Sequence, residues 1–371
     1  MCGTVVSRID AFECLYPSQS AYDPAMSWIL ILVYLVIGFA FLGKGAGWLV
    51  GGSTVLAKRL GVSSLVVGIT VVAWGTSLPE VVVSTMAAVQ GNAAISLGNV
   101  LGSNIANIGL VLGSCALVLP SVLEGRLGGR ESFWMLAALG LLWGFCLDGA
   151  LDRVEGIILL GVFAAHTGDV FFQAQQQRKK GADGAEANLA EGLEDMGERA
   201  PHWYKHPGVE TVVGMMAIAF GAWAVVEGAR GGAFRLGVDE RIVGLTIVAL
   251  GTSLPELAAG LAGALKGEKD IGLGNVVGSN VFNVLAVMGI TAIVHPLDSA
   301  RELASGKEGA VHAAAELDRA FAGALASDFP LALAFSLFLV ALPVLGGKRF
   351  GRAKGVLLLG VYIGYSVWLY M

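Results

Sequence analysis

Two pairs of short segments in this chain place carboxylate, hydroxyl and amide oxygens where they could hold a metal ion. VGITVVAWGTSLPE ends at Glu80, and VGLTIVALGTSLPE ends at Glu256. Pro79 and Pro255 lack an N–H, and their rings clash with the carbonyl four residues back, at Gly75 and Gly251. Proline suits the first turn of a helix, so each motif marks one half-helix ending and another beginning. Such a break frees backbone carbonyls, those of Ala73 and Ala249 among them. Beside them stand Thr76, Ser77 and Glu80, and in the second copy Thr252, Ser253 and Glu256. Carbonyl, hydroxyl and carboxylate oxygens are the ligands a hard cation such as Ca2+ or Na+ takes. ISLGNVLGSNIAN and IGLGNVVGSNVFN add Ser103 with Asn107, and Ser279 with Asn283. Each Ser–Asn pair is spaced i, i+4 and so projects from one helix face. Gly98, Gly102, Gly274 and Gly278 are packing positions that let a neighbouring helix come close.

The surroundings of these motifs are membrane-like. The chain has 371 residues, of which 55% are hydrophobic and 14% charged, against roughly 25% charged in soluble domains. The charges cluster between apolar runs of bilayer-spanning length. The net charge of −5 says little about partners, because loops on opposite faces share it. A buried charge in a bilayer costs several kcal/mol, so a pair of intramembrane acids is expected to have a function. Ten candidate spans follow, near 27–52, 64–90, 94–118, 131–150, 154–174, 207–230, 240–266, 270–295, 329–346 and 354–371. Helices 2, 3, 7 and 8 carry the motifs and are expected to be broken at the site.

Internal repetition organises the chain. Both motif pairs recur at an offset of 176 residues, and EGIILLGVF at Glu155 resembles KGVLLLGVY at Lys354 at an offset of 199. The second copy therefore carries an insertion after its third span. The fold class expected is an all-α polytopic membrane protein: ten transmembrane helices in two five-helix repeats. Five is odd, so the repeats are inverted about an axis in the membrane plane. The domain limits are 1–26 for an N-terminal extension and 27–174 for the first repeat. A cytoplasmic linker at 175–206 and the second repeat at 207–371 follow, with an extracytoplasmic insertion at 297–328 expected as a solvated connector. Fifteen Lys and Arg fall inside and eight outside when both termini are extracytoplasmic, the orientation the positive-inside rule favours. Residues 1–25 lack the basic region followed by an apolar run that a cleavable signal peptide is expected to have.

The duplicated GTSLPE and GNVxGSNxxN blocks resemble the alpha-repeats of the cation/calcium exchanger superfamily, in particular prokaryotic sodium/calcium exchanger-like proteins. The resemblance covers nearly all of the chain after Met26. It implies ions bound between the repeats and alternating access by sliding of the first and sixth helices. The ion ligands it implies are Thr76, Ser77, Glu80, Ser103 and Asn107, with Thr252, Ser253, Glu256, Ser279 and Asn283, and the carbonyls of Ala73 and Ala249. Several branches carry Asp where this chain has Asn283, which removes one charge and leaves an oxygen ligand. The expected activity is secondary antiport of Ca2+ against Na+ across the plasma membrane, the inner membrane of a prokaryote. A Ca2+/H+ exchanger, in which protons compete for the glutamates, and a gated cation channel are the rivals. No enzyme motif, cofactor, nucleic-acid ligand or protein partner is expected; the transported ions and the lipid bilayer are the partners. Lys44, His166, Asp169, His202 and His206 are expected to be interfacial or structural. Cys115 and Cys146 are read as packing residues.

Overall fold

Apolar runs in a bilayer fold as helices because only a helix satisfies its own backbone there. The computed structural model describes residues 26–118, 120–122, 130–182, 206–236, 249–306, 310–345 and 349–368, and these are almost entirely helical. In chain order, α1 is Trp28–Leu60, and α2 (Ser64–Thr76) bends by 42° into α3 (Leu78–Val89). α4 is Ala93–Val118 and α5 is Arg130–Asp148. α6 (Arg153–Ala182) and α7 (Pro207–Arg235) follow. α8 (Ala249–Thr252) and α9 (Leu254–Leu265) lead to α10, Lys269–Val294. α11 is Ser299–Ala304. α12 runs from Ala310–Gly323 through a π turn, Ala324–Asp328, into Phe329–Leu345, and α13 is Arg352–Trp368.

Among the described residues, seven helices are long and apolar enough to cross a membrane, and the bent α2–α3 pair makes an eighth. The seventh expected span is represented by α8 and α9, with residues 237–248 outside the described part. The tenth is represented by α13, which at 17 residues reaches about 25 Å at 1.5 Å per residue. The N-terminal extension, most of the 175–206 linker and His202 also lie outside the described residues. What is described of the linker, up to Ala182, continues α6 as helix.

The segment expected as a solvated insertion is instead partly packed. Ala310, Ala314, Leu317 and Phe321 follow a helical period and are buried, while His312 and Glu316 pair on the other face at 3.0 Å. One side of this helix therefore joins the core, and the helix continues unbroken into the apolar stretch that follows.

α1 and α7 lie against each other along rows of glycine. A methyl group at Gly38 would sit 2.9 Å from the Gly221 carbonyl, and one at Gly45 would sit 3.0 Å from the Gly214 carbonyl. Small residues let the backbones approach this closely, which is how helices pack without a hydrophobic driving force. Elsewhere, contacts recur in pairs at the repeat offsets. Arg153 Nε donates to the Ile293 carbonyl at 3.1 Å, and Arg352 Nε donates to the Leu117 carbonyl at 3.2 Å. Leu151 bridges Leu297, and the two-residue strands β1 (Ser121–Val122) and β2 (Arg349–Phe350) bring Ser121 opposite Phe350. A methyl group at Gly156 would meet the Gly289 carbonyl at 3.0 Å, and one at Gly355 would meet the Gly113 carbonyl at 2.8 Å. α6 thus packs on the end of α10, and α13 on the end of α4.

Candidate functional site

The α2–α3 bend falls at Ser77, whose φ −90° and ψ 9° leave the helical range, with Leu78 and Pro79 opening α3. Ser253 repeats this conformation at φ −88° and ψ 0° before Leu254 and Pro255. The cause is local: Pro79 and Pro255 offer no N–H to the carbonyls of Gly75 and Gly251. Each break sets Thr–Ser at the end of one helix and Glu in the first turn of the next. Thr76, Ser77, Glu80, Thr252, Ser253 and Glu256 are all buried. α7 covers both breaks. A methyl group at Gly75 would run into Met215 Sδ, and one at Gly251 into Val226 Cγ2.

The other motif behaves differently from the expectation. α4 and α10 are not broken; each contains a π turn, beginning at Asn107 and at Asn283. The motif has no proline, so the helix keeps its donors and absorbs the strain as one wider turn, a form frequent at functional sites. Ser103, Asn107, Ser279 and Asn283 are buried alongside the two breaks.

A network of cross-repeat bonds fixes the four elements. Thr76 Oγ1 donates to Asn275 Oδ1 at 3.0 Å, and Thr252 Oγ1 donates to Asn99 Oδ1 at 3.3 Å. Asn104 Nδ2 donates to the Asn280 carbonyl at 3.2 Å, and Asn280 Nδ2 returns a bond to the Asn104 carbonyl at 3.3 Å. Asn99 Nδ2 also donates to Ser84 Oγ at 2.9 Å, and Ser96 Oγ donates to the Ser84 carbonyl. Asn99, Asn104, Asn275 and Asn280 were not singled out from the sequence. Their signal was present, since both copies of G-N-x-x-G-S-N carry them at identical positions.

One expectation is corrected. The Ala73 carbonyl is not free, because it accepts the Ser77 amide at 3.0 Å, with Thr76 Oγ1 and Ser279 Oγ 3.3 and 3.5 Å away. The bend is mild enough for the last turn of α2 to close. The Ser253 amide instead bonds the Leu250 carbonyl at 3.2 Å, so the Ala249 carbonyl does not receive it.

What remains at the centre is a set of buried oxygens with nothing to bond. Ser77 Oγ donates to Glu256 Oε1 at 2.9 Å. Both Glu80 oxygens, Glu256 Oε2, Ser103 Oγ, Ser253 Oγ and the Oδ1 atoms of Asn104, Asn107 and Asn283 are buried without a hydrogen-bond partner. Unpaired buried polar atoms are costly and rare, and this many in one place marks a site meant to be filled. Among the described residues no group of three or more His, Cys, Asp or Glu comes together. The donors are therefore two carboxylates and neutral oxygens, a set suited to a hard cation.

A family profile described as sodium/calcium exchanger protein matches residues 30–168 and 209–371. The chain belongs to this family. The two matched blocks flank the expected linker. A protein of Alkalimonas amylolytica, provisionally named antiporter CaxA, is 35% identical over 92% of this chain and 99% of its own length. The sodium/calcium exchanger MaX1 of Methanosarcina acetivorans is 30% identical over 91% of this chain and 97% of its own length. Among solved structures, the sodium-calcium exchanger NCX_Mj soaked with Na+ and Sr2+ superposes with a TM-score of 0.69. It is 28% identical, over 91% of this chain and 97% of that one. The chain is thus a multi-pass membrane transporter of an exchanger family and has the fold of NCX_Mj.

His166 and Asp169 lie away from the two breaks. Asp169 accepts Trp134 Nε1 at 2.9 Å and pairs with Arg130 at 2.8 Å, which ties α6 to the start of α5. His166 is buried against Trp134, with ring centroids 5.4 Å apart. His206 and Lys44 are exposed.

Proposed function

We propose that this exchanger exports Ca2+ in return for Na+, with Glu80 and Glu256 as the shared charge of the site. The observation that carries this reading is the group of buried, unpartnered oxygens around the two glutamates. Two carboxylates balance one Ca2+, and Thr76, Ser77, Ser103, Asn107, Thr252, Ser253, Ser279 and Asn283 supply neutral oxygens around it. The Ala249 carbonyl, and the Ala73 carbonyl through the lone pair its bond from the Ser77 amide leaves over, add backbone oxygens to the set. Ca2+ and Na+ occupy the same carboxylates by turns, so passage of one requires departure of the other.

Two inverted five-helix repeats spanning 27–174 and 207–371 account for the exchange between faces. The paired contacts at Arg153 and Arg352, and at Leu151 and Ser121, support this architecture because each repeats at the sequence offset. The glycine rows between α1 and α7 suit two helices that move together past the rest. The protein resides in the plasma membrane with both termini outside and the 175–206 linker in the cytoplasm.

Uptake of radioactive Ca2+ into proteoliposomes tests the reading, with outward Na+ and outward H+ gradients compared. Uptake driven by Na+ and abolished in Glu80→Gln and Glu256→Gln is the expected result. Uptake driven by H+ alone would keep the site and replace the counter-ion. Absence of Ca2+ flux under both gradients would refute the substrate.

A further inference from the structure

The two halves match in residue type at the acids and their neighbouring hydroxyls and amides, yet they hold these side chains differently. Glu256 Oε1 accepts Ser77 Oγ at 2.9 Å and Ser279 Oγ at 3.4 Å. The hydroxyls that would do the same for Glu80, at the offset of 176, are Ser253 and Ser103. Ser103 lies against Glu80 without forming a well-aligned bond, and Ser253 is buried with no hydrogen-bond partner. The amides divide the same way. Asn107 Nδ2 donates to Asn280 Oδ1 at 3.0 Å, whereas both side-chain atoms of Asn283 and the Oδ1 of its counterpart partner, Asn104, have none. The backbone agrees, since the Ser77 amide reaches back four residues and the Ser253 amide three. Other cross-repeat bonds, Thr76 to Asn275 and Thr252 to Asn99, and Asn104 with Asn280, occur in both halves.

We infer that Ser77 and Ser253 are positioning residues that tie the two glutamates alternately, one in each access state. The inference rests on the exchange reading above. In the arrangement seen here Ser77 crosses to the opposite half and holds Glu256. Glu80, Ser103, Ser253 and Asn283 form the open half, which takes the first cation. Because the matching half carries the same residues, it can adopt the same arrangement. The other state then has Ser253 tied to Glu80, and Glu256 released. A hydroxyl or a cation against a buried carboxylate offsets part of its desolvation cost. The tie therefore keeps the unfilled half satisfied while the other half waits for its ion.

The test separates alternation from simple ligation. Ca2+ KM is measured from each face in proteoliposomes of sorted orientation, for Ser77→Ala, Ser253→Ala and the double variant. One hydrogen bond to a charged group biases a two-state equilibrium roughly tenfold or more. Ser77→Ala should move the ratio of the two KM values roughly tenfold in one direction, Ser253→Ala should move it the other way, and the double variant should return near wild type. Single variants that weaken both faces in parallel, or a double variant worse than either, would show that the serines are ligands only and overturn the inference. Hydrogen exchange of the same variants in detergent covers the case of lost transport. Opposite changes of protection in α1 and α7 support the tie, and changes of the same sign overturn it. Wild-type protein that carries no Ca2+ would count against the exchange reading, and hydrogen exchange would still decide the inference.

Discussion

Replacing Asn283 by Asp should change the number of sodium ions exchanged for one calcium. Asn283 is fully buried, and neither side-chain amide atom has a hydrogen-bond partner. In the proposed site Glu80 and Glu256 supply two negative charges, which one Ca2+ or two Na+ would neutralise. A third Na+ would leave one positive charge in a poorly polarisable interior. At a separation of about 5 Å and an effective dielectric of about 20, an added carboxylate attracts that ion by about 3 kcal/mol. That is roughly a hundredfold in its occupancy. The wild type is therefore expected to run electroneutrally with two Na+, and Asn283→Asp to run with three and carry one net charge per cycle. One charge crossing 100 mV is worth about 2.3 kcal/mol. The Ca2+ gradient reached at equilibrium by the variant should thus change roughly fiftyfold when a 100 mV potential is imposed, and that of the wild type should not change. The assay is radioactive Ca2+ distribution in proteoliposomes clamped by a valinomycin potassium potential of either polarity. Equal potential dependence in the two proteins would refute the charge balance on which the reasoning stands.

Other consequences concern stability as well as flux. Glu80→Gln and Glu256→Gln should both stop Na+-driven uptake, but only the second removes the acceptor of a well-formed hydroxyl bond, that of Ser77 at 2.9 Å. It should lower thermal stability by about 1–2 kcal/mol while Glu80→Gln leaves the melting temperature in detergent unchanged or raised; equal losses would contradict the observed asymmetry. Gly214→Ala drives a methyl group to 2.8 Å from the Gly45 carbonyl and into the Leu49 amide. A melting curve should show a loss of about 1–3 kcal/mol, against no change for Gly208→Ala, which opens onto free space. Pro79→Ala restores a donor for the Gly75 carbonyl and should straighten the 42° bend. Ca2+ uptake should then fall roughly tenfold or more, since misplaced ligands bind poorly, and an unaltered rate would remove the bend from the mechanism.

The parts legible in the sequence are those where one residue type has one structural consequence. Proline without a donor marks the breaks at Ser77 and Ser253, and the repeat offset brings the two acids into correspondence. The glycine–asparagine motif was less legible, because glycine permits a break without requiring one. Intact helices with π turns at Asn107 and Asn283 satisfy the same sequence. The helix at Ala310–Gly323 was read by its charges, although its apolar period of Ala314, Leu317 and Phe321 predicted a buried face. Asn104 and Asn280 are legible only as repeated positions; that each bonds a backbone carbonyl of the other repeat is a contact no local spacing reveals.

A deeper limit concerns the site itself. Two matching motifs predict two matching half-sites, and a symmetric site faces neither side of a membrane. An exchanger has to be asymmetric at every instant and symmetric only over its cycle. That asymmetry is carried by a choice among equivalent bonds, and in this structure the choice is Ser77 to Glu256 in place of Ser253 to Glu80. On the exchange proposed above, the repeat would give two states of nearly equal energy, and the direction of the serine bond would select which of them is occupied.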